Sequence, residues 1–371
     1  MQEARQVRDF FIIKKTNLRC PTEGLVLMGM GADKVENVII SHMQYDHAGE
    51  LIVKPTIPES NKSAELNAMK KTLRSLIYPY SKSEFFDHYE ANSPLVTHDL
   101  GERIRELTEL PFLHSLETLL ASWPNKVDAY LPGIADEANS IEITPGEARQ
   151  HFDHGMGLLF NDINRISPLL ERWLESLKYE LGLSSLTYAR NLVYAIPAGQ
   201  GTAPHFDQNI NFVLQIHGTK KWWMAPNKEV EGPMSRHTIG LPMDPELGSY
   251  TERAMPEQFP DDAEEFVLHP GSLLFVPRGV WHKTEALTDA LSLNFTFSAP
   301  TWIDILTTAL RSRLAQSSDW RETANFGTDK ERAHEATEKL DALLSELVQD
   351  LPNWHAANIL EVTEAGQLPL E

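Results

Sequence analysis

Between residues 186 and 300 the chain is interrupted every few residues by glycine or proline, and the segments between carry β-branched, aromatic and aliphatic side chains. Tyr188–Ile196 reads as a strand and is followed by the turn-rich stretch PAGQGTAP. His205–Ile216 reads as a second strand; His217 and Gly218 break it, and Lys220–Met224 reads as its hairpin partner. Phe266–His269, Ser272–Pro277 and Ala290–Phe297 supply three more. Many short antiparallel strands separated by such turns leave a sandwich or a barrel as the architectures available.

The flanking regions have a different period. Residues 71–185 read as mostly helical. Their clearest helix begins at Ser167, a capping residue, with Pro168 in the first helical position. Leu170, Trp173, Leu174, Leu177 and Leu181 then recur at helical spacing, and Gly182 marks the end. That stripe is a core face. Residues 301–371 read as two further helices, Trp302–Leu314 and Lys330–Leu347. The second carries Ala333, Ala336, Leu340, Leu343, Leu344 and Leu347 on one side, which needs a surface to cover it. The segment 227–265, rich in proline, glycine and acids, reads as a long insertion that covers a pocket and helps to set substrate choice, or as a surface excursion packed on the strands.

The 371 residues suffice for one large domain with additions, and the apolar content of 42% is ordinary for a globular protein. No apolar run approaches the roughly 18 residues of a membrane span. MQEARQVRDFF lacks the pattern of a signal peptide, and the single cysteine, Cys20, excludes an internal disulfide. A cytoplasmic protein is expected. A net charge of −20 repels nucleic acid phosphates and favours a basic protein or peptide partner, or acts only as solubility charge.

Chemistry concentrates in APHFDQN. His205 and Asp207 stand two apart, so within one strand they would share a face. A second histidine, His282, lies in PRGVWHKTEAL at the start of another strand. Two histidines and a carboxylate form a facial triad that leaves coordination positions open, a set suited to Fe(II). No thiolate is near, which disfavours a zinc–cysteine site. H-x-D alone is a short pattern that recurs by chance. Here both halves follow Gly/Pro-rich turns, GQGTAP and HPGSLLFVPRG, of the kind that bring strand ends to a barrel mouth.

HPGSLLFVPRGVWH resembles the segment around the distal histidine of JmjC-domain and related cupin-like oxygenases, and APHFDQNINFVLQIHGTKKW resembles their proximal motif. The stretch is also similar to the asparaginyl hydroxylase acting on hypoxia-inducible factor and to ribosomal-protein oxygenases. FFDHYEANSPLVTH at 85–98 looks like their lead-in. The resemblance implies an α+β fold: a double-stranded β-helix (cupin or jelly-roll barrel) over 71–300, with helices before it and a C-terminal helical region over 301–371. It also implies Fe(II), 2-oxoglutarate as cosubstrate and O2, with decarboxylation of the cosubstrate coupled to hydroxylation of a C–H bond. Lys220 then matches the residue that grips the distal carboxylate of 2-oxoglutarate, with Lys221 as the alternative. Thr202 can donate its hydroxyl to the same region, and Asn211 and Asn294 match pocket-lining positions or are inward polar residues satisfying their neighbours. Trp222, Trp223 and Trp281 line a cleft or belong to the core.

The segment VENVIISHMQYDHAGEL at 35–51 resembles the metal motif of metallo-β-lactamase-fold hydrolases, but Gln44 stands where the second histidine belongs. The further ligands that motif needs are not found in later segments, so residues 1–70, with His42, Asp46 and His47, are read as an extension carrying a fused or residual fragment, in which Asp46 and His47 could still touch a metal. The functional expectation is a protein or peptide hydroxylase. A tailoring hydroxylase of a free amino acid or small peptide, a hydrolase working through His42–His47 and a non-catalytic metal-binding scaffold are the alternatives. The C-terminal helices suggest a homodimer.

Overall fold

A computed structural model of the chain describes residues 11–12, 28–29, 72–131, 135–136, 139–326 and 330–364. The His42–His47 motif lies outside the described residues. Contacts divide the chain into Met1–Asn61 and Lys62–Glu371. The first unit contains a short antiparallel pair, β1 (Phe11–Ile12) with β2 (Met28–Gly29).

The second unit is built on two antiparallel sheets. The larger has the order β3 (Leu95–Thr97), β13 (Leu273–Val276), β9 (Ile210–His217), β15 (Ala290–Ser298), β7 (Tyr188–Ile196), β6 (Leu158–Phe160), β4 (Val127–Tyr130), β5 (Ser140–Ile143). The smaller has the order β11 (His237–Thr238), β8 (Gly201–Phe206), β14 (Trp281–Ala286), β10 (Lys220–Ala225), β12 (Glu264–Leu268). Successive strands from β7 to β10 alternate one by one between the two sheets, the pattern of a jelly-roll barrel.

Both faces of the larger sheet are buried, for different reasons. In β9 the side chains of Phe212, Leu214 and Ile216 enter the main hydrophobic core, together with Leu291, Leu293, Phe295 and Phe297 of β15. That core includes Leu170, Trp173, Leu174 and Leu177 of the helix Pro168–Glu180, whose first turn is capped by the Ser167 hydroxyl accepting from Leu170 N. The intervening positions point the other way, because the strand period is two. Asn211, Gln215, Ser292, Asn294 and Thr296 are therefore polar, yet 7% exposed or less. They face the barrel interior, where polar groups must find partners. Ser292 donates to Gln215 Oε1 at 2.9 Å, and Thr296 donates to Asn211 Oδ1 at 2.7 Å.

Three expectations are corrected. The stretch His205–Ile216 is two strands, not one: β8 ends at Phe206 in the smaller sheet and β9 begins at Ile210 in the larger. Asp207 thus lies beyond the strand end, and shared strand parity with His205 does not place it. Nor do β9 and β10 form a hairpin. At Gly218 (φ +69°) the chain crosses from one sheet to the other, and a Cβ there would lie 2.0 Å from Asp289 O. Residues 71–185, finally, are not purely helical, since β3, β4, β5 and β6 extend the larger sheet.

Gly201 sets how closely β8 approaches β14. A Cβ built there falls 1.7 Å from the Thr284 carbonyl oxygen, a backbone atom that cannot step aside. Gly201→Ala is expected to destabilise the protein by about 1–3 kcal/mol or more, read as a lower denaturation midpoint with the denaturant slope preserved.

The C-terminal helices Trp302–Leu314 and Lys330–Asp350 occur as expected, the second three residues longer, and a further helix, Ala356–Glu364, follows. The first two contain no buried residue. Arg313 joins them through bonds from Nε and an Nη to Asp350 at 2.8 and 2.6 Å. Among the described residues the apolar side of Lys330–Asp350 is only partly covered: Ala333, Ala336, Leu343 and Leu347 are half-buried, while Leu340 is 50% and Val348 65% exposed.

Candidate active site

The two sheets enclose a cavity of about 120 Å³ lined by residues of β7, β8, β9, β10, β14 and β15. At one level of it, register places His205 of β8 directly opposite His282 of β14. Their rings lie 4.1 Å apart between centroids. Asp207 closes the group from the loop after β8, held by its backbone carbonyl, which accepts from Gly279 N at 2.8 Å.

The donor atoms of His205, Asp207 and His282 all lie within 4.8 Å of one another, the one such cluster among the described residues. Nδ1 of His205 and Nδ1 of His282 donate to the Ala203 and Val280 carbonyls at 2.6 and 2.9 Å. That fixes the tautomer and leaves each Nε2 with a lone pair. The Nε2 atoms lie 3.9 and 3.8 Å from the two oxygens of Asp207, too long for hydrogen bonds. Separate donors converging without bonding one another suit a shared metal ion. Burial pushes both imidazoles below the ordinary histidine range, His205 well below, with the Arg236 guanidinium adding to the effect. Both histidines are therefore neutral at pH 7, as metal ligation requires. Trp222 of β10 stacks on His282 at 5.6 Å and orients it.

Lys220 of β10 sits deeper, on the row that pairs with Ala286, four residues along the strands from the His282–Met224 row. It is 2% exposed, and its ammonium lies over Trp222 and Tyr194 at 5.1 and 5.7 Å. No acidic side chain among the described residues pairs with it. Burial lowers its pKa to about 7. A cation held there without a counter-charge is costly, and a bound carboxylate would remove that cost. Lys221 points outward to Glu265 at 2.9 Å, which separates the roles of the two lysines.

The other residues singled out in the sequence divide. Thr202 lines the cavity and shares its hydroxyl hydrogen with Thr284 at 2.8 Å. Asn211 donates to Asp207 Oδ2 at 3.4 Å, so it braces the carboxylate. Asn294 lines the cavity, and its Oδ1 has no hydrogen-bond partner among the described residues. Trp281 is fully buried against Phe206 rather than in a cleft, and Trp223 lies outside between Lys221 and Lys283.

Arg236 escaped the sequence reading. The insertion packs on the barrel, and its strand β11 pairs with β8 at His205 and Phe206. This carries Arg236 into the cavity, where Nε stands 3.7 Å from Asp207 Oδ1 and an Nη donates to the buried Asp136 at 2.7 Å. Asp136 also accepts from Thr238. Nothing local in SerArgHisThr distinguishes that arginine. Arg190 of β7 was likewise missed, although inward alternation with Leu192 and Tyr194 could have revealed it.

A family model described as JmjC domain matches residues 175–305, the segment that holds all of these strands. The uncharacterized protein YxbC of Bacillus subtilis is 34% identical over 289 residues, covering 76% of this chain and 87% of that one. The chain belongs to the JmjC-domain family. Among its other relatives, ribosomal oxygenase 1 of Gallus gallus is 27% identical over 245 residues, 61% of this chain and 38% of that protein. The bifunctional lysine-specific demethylase and histidyl-hydroxylase NO66 of Drosophila pseudoobscura pseudoobscura is 28% identical over 247 residues, 65% of this chain and 24% of that protein. This JmjC chain thus spans nearly all of YxbC but well under half of those two. The ribosomal oxygenase YcfD of Escherichia coli superposes with a TM-score of 0.43 at 17% identity, over 73% of this chain and 67% of that one, too loosely to carry an argument.

Proposed function

We propose that this JmjC protein is an Fe(II)- and 2-oxoglutarate-dependent oxygenase that hydroxylates a residue of a protein or peptide substrate. The observation that carries the reading is the pairing of a convergent His205–Asp207–His282 donor set with a buried ammonium, Lys220, that has no acidic partner among the described residues. His205, Asp207 and His282 would hold a metal, and Lys220 would hold a carboxylate of a dicarboxylate cosubstrate. The similarity to ribosomal oxygenase 1 and to the lysine demethylase and histidyl-hydroxylase NO66 supports a protein substrate.

When bound, iron and 2-oxoglutarate would supply the oxidative chemistry, and the protein supplies binding, orientation and exclusion of water. His205, Asp207 and His282 would hold the metal. Asn211 and Arg236 keep the Asp207 carboxylate turned toward the histidines. Lys220 would neutralise the distal carboxylate, with Thr202, Thr284 and Asn294 offering polar contacts beside it. Trp222 and Leu192 wall the cavity against solvent.

Anaerobic titration of the protein with Fe(II) and 2-oxoglutarate tests this. The expected result is a weak visible charge-transfer band that needs both ligands. Soluble, folded protein without that band sinks the reading.

The affinity for 2-oxoglutarate should also depend on pH with a definite sign. The bound dicarboxylate requires the ammonium, whereas the free protein loses that proton near pH 7. Affinity is therefore expected to be flat below about pH 7 and to fall by up to about tenfold per unit above it. Isothermal titration at pH 6, 7, 8 and 9 reads this directly, and a flat profile to pH 9 contradicts it. Metal affinity should persist below pH 6.5, because burial keeps both histidines neutral there.

Within the same reading, the chain divides into an extension over 1–70, the catalytic domain over 71–300 and a helical region over 301–371, and the protein works in the cytoplasm. A homodimer through the helices 302–350 would cover Leu340, Leu344 and Val348. Light scattering checks the dimer.

A further inference from the structure

The cavity wall is cationic away from the cosubstrate position. Of its charged lining residues, Lys220, Arg190 and Arg236 are basic and Asp207 is the single acid. Lys220 and Arg236 already have tasks, the first at the deep end and the second bonded to Asp136. Arg190 has none of that kind. It stands at the mouth, on the level of the metal ligands. Arg190 pairs across the sheet with Thr296, and Thr296 pairs with Asn211. Thr296 donates to Asn211, and Asn211 donates to Asp207. One polar row thus runs from the metal ligand across three strands to the arginine.

The guanidinium is poorly satisfied. Its Nε is buried without a hydrogen-bond acceptor among the described residues. One Nη makes a long bond, 3.4 Å, to Asn161 Oδ1. Asp128, whose carboxylate feels the Arg190 charge, accepts from Asn161 Nδ2 at 2.6 Å and makes no ion pair with Arg190 within 4 Å. Burial is the main reason the Asp128 carboxyl titrates above its ordinary range. A buried guanidinium N–H without an acceptor is costly, and a planar carboxylate is the acceptor its fork fits.

We propose that Arg190 is a specificity-determining residue that binds a carboxylate of the substrate, placing the adjacent C–H bonds beside the metal site. The group hydroxylated then belongs to an acidic side chain of a polypeptide or to a free amino acid. This rests on the oxygenase reading above and turns it away from a basic target residue. The net charge of −20 still favours a basic surface around that residue.

The test uses the full-length protein loaded with Fe(II) and 2-oxoglutarate. The probes are blocked peptide mixtures with degenerate flanks and one fixed central residue: Asp, Glu, Asn, Gln, Arg or His. Free aspartate and glutamate form a separate arm. Anaerobic perturbation of the charge-transfer band reads binding, and succinate release in air reads KM and kcat. An acidic centre should bind at least about tenfold better than its amide counterpart. Response to the peptides alone assigns a polypeptide side chain, and response to the free acids alone assigns an amino acid. Arg190→Gln should raise KM for the acidic probe and reduce the preference to about twofold or less while the band itself persists. Arg190→Lys should retain part of the preference, which a merely structural role would not predict.

Three outcomes overturn the inference: a preference for Arg or His centres that Arg190→Gln leaves in place, weakened 2-oxoglutarate binding in Arg190→Gln with selectivity unchanged, or no response to any carboxylate probe in protein that shows the band. Absence of the band in the native protein is a different failure. It removes the oxygenase reading, and the assignment of Arg190 falls with it.

Discussion

Lys220→Met is expected to make the protein more stable and unable to hold its cosubstrate. The native ammonium is 2% exposed, faces Trp222 and Tyr194, and has burial as the cause of its lowered pKa. Methionine keeps most of the stem and removes the charge, so the ligand-free protein should gain about 1–4 kcal/mol, the range seen when buried charged groups give way to apolar ones of similar volume. The same change deletes a charge-assisted bond to a carboxylate, about 1.5–3 kcal/mol, and should weaken 2-oxoglutarate by roughly 10–150-fold. Thermal unfolding without ligand and calorimetric titration with it measure the two halves. A fall in stability would mean that Lys220 has a structural partner, and unchanged affinity would remove it from the cosubstrate site. Opposite signs from one substitution are what a functional residue held at the expense of stability produces.

Asp207→Ala should abolish metal-dependent turnover, by at least about 10²–10³-fold, with the fold intact. The carboxylate is partly exposed at the end of β8, and its contacts are the long bond from Asn211, the Arg236 guanidinium and the Gly279 N–H on its backbone carbonyl. Only the last survives the substitution, and it is the one that shapes the loop. Metal content after dialysis should fall to background while the unfolding midpoint moves little. Asp207→Asn is a sharper probe. It keeps the shape, but its amide is a weaker ligand than a carboxylate, and it places Arg236 beside a neutral group. Full activity in either variant would sink the assignment of Asp207 as a ligand.

The fold and the site were legible in the sequence to different depths. His205 and His282 could be picked out because each follows a Gly/Pro turn, and such turns bring strand ends to a barrel mouth; Lys220 was singled out only by its place in a motif that resembles the JmjC-type oxygenases. The helix Pro168–Glu180 was legible for an equally local reason, a capping serine, a first-turn proline and a stripe at helical spacing. These are short-range properties of the chain, carried by the local order of residues.

Tertiary structure decided the rest. Whether APHFDQN is one strand or the point where the chain changes sheets depends on what β8 and β9 pair with, far along the sequence. That pairing, not strand parity, brings Asp207 between the two histidines. The polar alternation of Ser292, Asn294 and Thr296 could equally mark a solvated sheet face, until the second sheet closes over it and makes it a cavity wall. Arg236 reaches Asp207 because β11 lies along β8, and Arg190 joins the same cavity wall because three strands fall into one register. A sequence determines which residues alternate and where the chain must turn. Which alternating face becomes an interior, and which distant cations meet there, is fixed only when non-local strands pair, since hydrogen-bond register sets position across a sheet as local propensity cannot.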